Sequence, residues 1–151
     1  MKRINLTITT SCKGPGKQKA VGTYLIELVS EDKVTTHEGY LERDSISAAE
    51  LTLQLLVNAM FIINKMHLEL YSIEAYIDQP IILSAFRNRW IDKWQQAKWK
   101  NAQGKDIANA ATWQKLIDQI GSNAERFIAV DEVSSYTNWC RTECIKRLKG
   151  E

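Results

Sequence analysis

Residues 87–116, RNRWIDKWQQAKWKNAQGKDIANAATWQKL, hold four of the chain's five tryptophans and its densest positive charge. Trp90 and Trp94 stand four apart, which puts both on one face of a helix. Within 87–105 the bases Arg87, Arg89, Lys93, Lys98, Lys100 and Lys105 meet one acid, Asp92, so the window carries +5 while the whole chain carries +2. The charge is therefore a local patch. Such a patch with rings interleaved suits a polyanion, because Lys and Arg displace condensed counterions and the indoles give rigid apolar contact. The same residues also fit a helix that buries tryptophan and solvates lysine, so composition alone leaves both readings open.

Outward from this stretch, 151 residues with 44% apolar and 25% charged content suit one globular domain spanning 1–151. The opening MKRINLTITT is too polar for a signal-peptide core, and no apolar run approaches the roughly 18 residues of a membrane span. The expectation is a cytoplasmic protein with no membrane partner. Cys12, Cys140 and Cys144 form no staple framework and agree with a reducing compartment. Residues 1–26 carry five bases and no acid, whereas 27–50 carry seven acids against two bases.

Alternation and turn residues predict strands over 3–9, 20–28 and 34–41, with Gly14-Pro15-Gly16 and Ser30-Glu31-Asp32-Lys33 as the connections. Ser47-Ala48-Ala49-Glu50 reads as a capping box opening a helix to about Lys65. A short strand is expected over Leu68–Ile73, helix from Glu74 through the tryptophans, a strand over Phe127–Val130 and a closing helix over Ser135–Leu148. The order is βββαβααβα, an α/β chain with a mixed sheet flanked by helices.

The spacing of Trp90-Ile91, Trp94, Trp99-Lys100, Lys105, Asn109, Trp113 and Leu116 resembles the basic handle of the type 1 ribonuclease H family, placed here at about 87–113. Ser11-Cys12 with Gly14 and Gly22, Gly39-Tyr40, Glu50-Leu51 and Tyr76 extend the resemblance over nearly the whole chain, with about six extra residues between Tyr76 and Trp90. The resemblance implies a ribonuclease H-like fold. It also implies four carboxylates holding two divalent ions, Mg or Mn, for cutting the RNA strand of an RNA–DNA hybrid. On this sequence those positions fall on Thr9, Glu50, Ile73 and Arg141, so one carboxylate of four is retained and Glu50 is the single catalytic candidate. Oxygen-ligated magnesium is poorly served by a hydroxyl, an aliphatic chain and a guanidinium. The expectation is no cofactor, with Arg141 paired to Glu50 where a metal would sit. The loop before Cys140 also lacks a histidine.

The binding apparatus implied by the resemblance is better kept. Ser11, Cys12 and Ser47 fall at groove-contacting positions, and Lys93, Lys98 and Lys100 fall at backbone-contacting positions of the handle. Three readings follow. The first is a catalytically inactive nucleic-acid-binding relative, of the kind expected of a mobile element or phage, with RNA–DNA hybrid or duplex as partner. The second is a nuclease rebuilt on Glu50, Glu74 and one of Asp131, Glu132 or Glu143. The third is a module whose partner is another protein.

Overall fold

A computed structural model of the chain describes residues 2–66, 71–121 and 126–150. The strongest alternation lies at the start, where Ile4, Leu6 and Ile8 are fully buried on one face of β1 (Arg3–Cys12). β2 (Gln18–Val29) pairs antiparallel with β1, and β3 (Val34–Ile46) pairs antiparallel with β2. These strands are longer than the sequence predicts, because pairing carries them through polar residues that make poor strand signals alone. At Gly22 an added Cβ would lie 2.3 Å from Leu55 Cδ1, so the bare backbone lets the next helix press against β2.

That helix, α1 (Ala48–Lys65), begins as the capping box predicts: the Glu50 N–H donates to Ser47 Oγ at 3.1 Å. It buries Leu51, Leu55, Leu56, Ala59 and Met60 against one sheet face. The connection then returns to β4 (Ser72–Ile77), parallel to β1 in a register that pairs Ile4 with Ile73 and Ile8 with Ile77. The expected strand over Leu68–Ile73 is thus displaced toward the C-terminus, and residues 68–70 lie outside the described residues. Helix does not start at Glu74. Pro80 forbids it, since the residue before a proline is held extended and the proline itself suits the first helical turn, where α2 (Pro80–Arg87) starts.

The tryptophan-rich segment makes α3 (Trp90–Gln96) and α4 (Ala110–Ile120), so three helices stand where two are predicted. β5 (Phe127–Val130) pairs parallel with β4, and α5 (Thr137–Leu148) closes the chain. The sheet runs β3-β2-β1-β4-β5. α1 and α4 pack together on the Gly22 face, whereas α5 lies on the Thr23 face, where Cys144 meets Thr9 and Thr23. Adjacent strand residues point to opposite sides, so these helices sandwich the sheet.

Candidate functional site

The parallel pair β1–β4 ends at Ile8 and Ile77, and the next register step brings Asp78 alongside Thr9. Arg141, early in α5, places Nε 3.9 Å from Asp78 Oδ2, and the Thr10 backbone N–H contributes to the field at the carboxylate. Burial pushes the Asp78 carboxyl up to about 6, against the smaller opposing pull of Arg141 and the Thr10 N–H. Its Oδ1 is buried without a hydrogen-bond partner. Around this pair a cleft of about 600 Å³ opens at the C-terminal ends of the strands, lined by Ile8, Tyr76, Arg87, Asp131, Glu132 and Thr137 among others. Arg87 at the end of α2 bonds Asp131 across it at 3.1 Å.

Two expectations need correction here. Ile73 is not at the end of the fourth strand; it pairs with Ile4 and is buried in the α1-side core. The carboxylate at the strand end is Asp78, five residues beyond Ile73, and that offset accounts for most of the extra residues expected between Tyr76 and Trp90. Arg141 pairs with Asp78 rather than Glu50. Glu50 serves the first turn of α1 through its N–H and makes no ion pair with a described residue.

The rebuilt carboxylate cluster does not assemble either. Glu74 pairs with Asn5 in the sheet, four residues before Thr9, or roughly 13 Å away at the usual strand rise. It accepts from Tyr76 Oη at 3.0 Å. Glu143 lies near Tyr40. Among the described residues no three of His, Cys, Asp and Glu converge to hold a metal ion. Thr9 is fully buried with its hydroxyl 3.5 Å from Cys144 Sγ, and Arg141 adds a cation, so the donor set does not fit a divalent ion.

The handle is built on its indoles. Trp94 lies 6.2 Å from Trp90, 6.1 Å from Trp99 and 5.5 Å, edge-on, from Trp113, whose ring continues to Phe86 at 5.5 Å and so to the core. Lys98 and Trp99 both adopt left-handed backbone, φ 54° and 63°, which reverses the chain and turns the Trp99 ring back onto Trp94. The reversal is closed by Ile107 N–H donating to Trp99 O, by an Asn101 side chain accepting from the Gln103 and Lys105 N–H groups, and by a Lys100–Asp106 ion pair. Lys93 and Lys98 are exposed and paired with no described acid; Lys100 is spent on Asp106.

Ser11 and Cys12 are half-buried at the end of β1, and Ser47 holds the α1 cap. Sequence reasoning missed a further basic hollow of about 280 Å³ between β3, α1 and α4, lined by Arg43, Gln54, Asn58, Thr112 and Lys115 with no acid. Arg43 sits in an acidic tract and Lys115 beyond the handle, so only the tertiary fold joins them. Gln54 Oε1 is buried there without a partner.

This geometry has known counterparts. The ribonuclease H of Clostridium botulinum strain Hall is 28% identical over 143 residues, covering 93% of this chain and 91% of that protein. The ribonuclease H of Chlorobium luteolum is 28% identical over 142 residues, covering 92% and 90%. The crystal structure of LC9-RNase H1, a type 1 RNase H with the type 2 active-site motif, superposes with TM-score 0.77 at 16% identity, over 99% of this chain and 74% of that one. The chain has the ribonuclease H-like fold. No protein-family model matches it. LC11-RNase H1 in complex with RNA/DNA hybrid also superposes, with TM-score 0.61 and 12% identity over 96% of this ribonuclease H-like chain and 98% of that chain.

Proposed function

We propose that this ribonuclease H-like protein binds nucleic acid, RNA–DNA hybrid or duplex, through its backbone and does not cleave it. The observation that carries the reading is the division of charge. A rigid, indole-packed handle presents Lys93 and Lys98 to solvent, whereas the centre where the fold would assemble carboxylates holds Arg141 against Asp78 with Thr9 buried beside them. Counterion release at the free lysines supplies affinity without base readout. The hollow of Arg43 and Lys115 extends the cationic surface beyond the handle. The naming of its relatives as ribonuclease H, and the hybrid bound by LC11-RNase H1, support the class of ligand.

The binding role of the handle and the silence of the centre are tested together. Labelled hybrid, duplex DNA and duplex RNA are titrated across a salt series with magnesium or manganese present, and the products are run on a gel. Salt-sensitive binding without cleavage is the expected result. Cleavage lost in Glu50→Ala or Asp78→Asn would replace it with a nuclease, and absence of binding at low salt would leave a protein-binding module.

A further inference from the structure

α5 packs on β1 and β2, where Cys144 meets Thr9 and Thr23. Further along the same sheet face, a row of paired residues crosses all five strands: Thr36, Glu27, Asn5, Glu74 and Ile128. Alternation puts all five on the side of Thr9, and none of them is fully buried. The centre of this row is acidic. Glu27 and Glu74 line a hollow of about 250 Å³ whose single base is Arg3, and Tyr136 joins it to a second hollow of about 250 Å³ with Glu38 and Trp139. Three acids against one base leave two net negative charges. The two central carboxylates are held by neutral donors. Asn5 Nδ2 donates to Glu27 at 2.7 Å, Tyr136 Oη donates to its other oxygen at 2.5 Å, and Tyr76 Oη donates to Glu74 at 3.0 Å. Neither carboxylate is ion-paired with a described cation. Acids that serve only solubility stand free in water, whereas these are half-buried and fastened. Among the described residues seven large apolar side chains are exposed, and four border this face: Val34 at 58%, Ile128 at 56%, Val133 at 68% and Trp139 at 41%.

We infer that this face docks a basic, extended segment of a partner protein, its Arg or Lys side chains on Glu27 and Glu74 and its apolar side chains on Val133 and Trp139. Charge complementarity selects the sign of the partner. Carboxylates already ordered by hydrogen bonds lower the entropy cost of holding a cation, and an ionised carboxylate that accepts one or two bonds keeps lone pairs for more. Glu27 and Glu74 stand one strand to either side of Asn5, about 10 Å apart at the usual strand spacing. Alternate side chains of an extended segment share one side at about 7 Å, and the flexible stems of two bases close the difference. Tyr136 and Trp139 supply aromatic rings of the kind that attract a cation. A free polyamine would meet the acids and leave the apolar border uncovered; a protein segment covers both. The inference stands apart from the nucleic-acid reading, because the handle joins the core through Trp113, Phe86 and Phe127 on the opposite side of the sheet. It also gives a role to the acidic stretch 27–50, which supplies Glu27 and Glu38.

The test titrates the full chain, at low salt, with a capped heptapeptide alternating arginine and valine, and follows amide shifts by heteronuclear NMR. The peptide should bind saturably, with shifts gathered at Glu27, Glu74, Tyr136 and Trp139, and its counterpart with glutamate in place of arginine should not bind. Glu27→Gln combined with Glu74→Gln should weaken the arginine peptide about fivefold or more. Because Glu27 also anchors Asn5 and Tyr136, Glu74→Gln and Trp139→Ala are read singly as well, each expected to weaken binding about twofold or more, and every variant is melted to confirm folding. Affinity indifferent to these substitutions, shifts centred elsewhere, or equal binding of the glutamate peptide would overturn the proposal. Spermine bound as tightly as the peptide would overturn it in favour of a free polycation. Self-association of the parent in sedimentation velocity, abolished by the double substitution, would overturn it in favour of a second copy of the chain.

Discussion

Lys93, Lys98 and Lys100 look equivalent in the sequence, yet only the first two are free to meet a phosphate, because Lys100 is paired with Asp106 across the handle's reversal. Each phosphate neutralised on a duplex steepens the dependence of log affinity on log salt by about 0.9, so a fourfold rise in salt costs about 3.5-fold in affinity per contact. Removing Lys93 and Lys98 together should flatten the slope by about 1.8, which is about 12-fold over the same interval. Lys100→Ala removes a cation whose field is already cancelled by a neighbour, and both partners are at least half exposed. Its slope should match the parent, and its stability should fall by less than about 1 kcal/mol. The assay is fluorescence anisotropy of a labelled hybrid across a salt series, with each variant melted separately to confirm folding. A slope change for Lys100→Ala as large as that for Lys98→Ala would refute the division of labour, and unchanged slopes in all three would remove the handle from the interface.

Asp78→Asn should stabilise the chain at pH 7.5 by up to roughly 3 kcal/mol and be neutral near pH 3. The folded carboxyl, pushed up to about 6 by burial, binds protons more readily than the unfolded one, so the parent loses stability as pH rises from about 4 through about 6. Urea melts at the two pH values check the sign. Gly22→Ala should cost about 1 to 3 kcal/mol by overpacking, because its methyl would lie 2.3 Å from the fully buried Leu55; thermal melts read the loss directly. Burial pushes the Cys140 thiol up to about 12 and raises Cys144 as well, so both should resist alkylation until the chain unfolds, whereas the half-buried Cys12 should be modified first. Peptide mapping after timed iodoacetamide treatment distinguishes the three.

The elements that were legible are those whose signals are local. Ser47 announces α1 through its hydroxyl, the indole spacing announces the handle, and the alternation of Ile4, Leu6 and Ile8 announces β1. β4 was harder, because Tyr76 interrupts the polar side of the Ile73, Ala75, Ile77 alternation and Ala75 is a weak strand former. The boundary was nonetheless marked: an aspartate two residues ahead of Pro80 fits a strand end, and the proline excludes the helix drawn from Glu74. With β4 read as ending at Ile73, Asp78 falls outside the site and Glu50 is the acid left for Arg141. The Arg43–Lys115 hollow had no local signature at all, since it joins β3 to α4 across α1, and pairings of that sort come from packing rather than pattern.

The four handle indoles also have an optical consequence. Rings 5.5 to 6.2 Å apart couple their excited states, so absorbed energy passes among Trp90, Trp94, Trp99 and Trp113 before it is emitted. Trp139, half-exposed on α5 on the other side of the sheet, stands apart from this quartet. The near-ultraviolet circular dichroism of the chain should therefore be dominated by the handle, and its loss on heating would time the opening of that arm separately from the melting of the sheet.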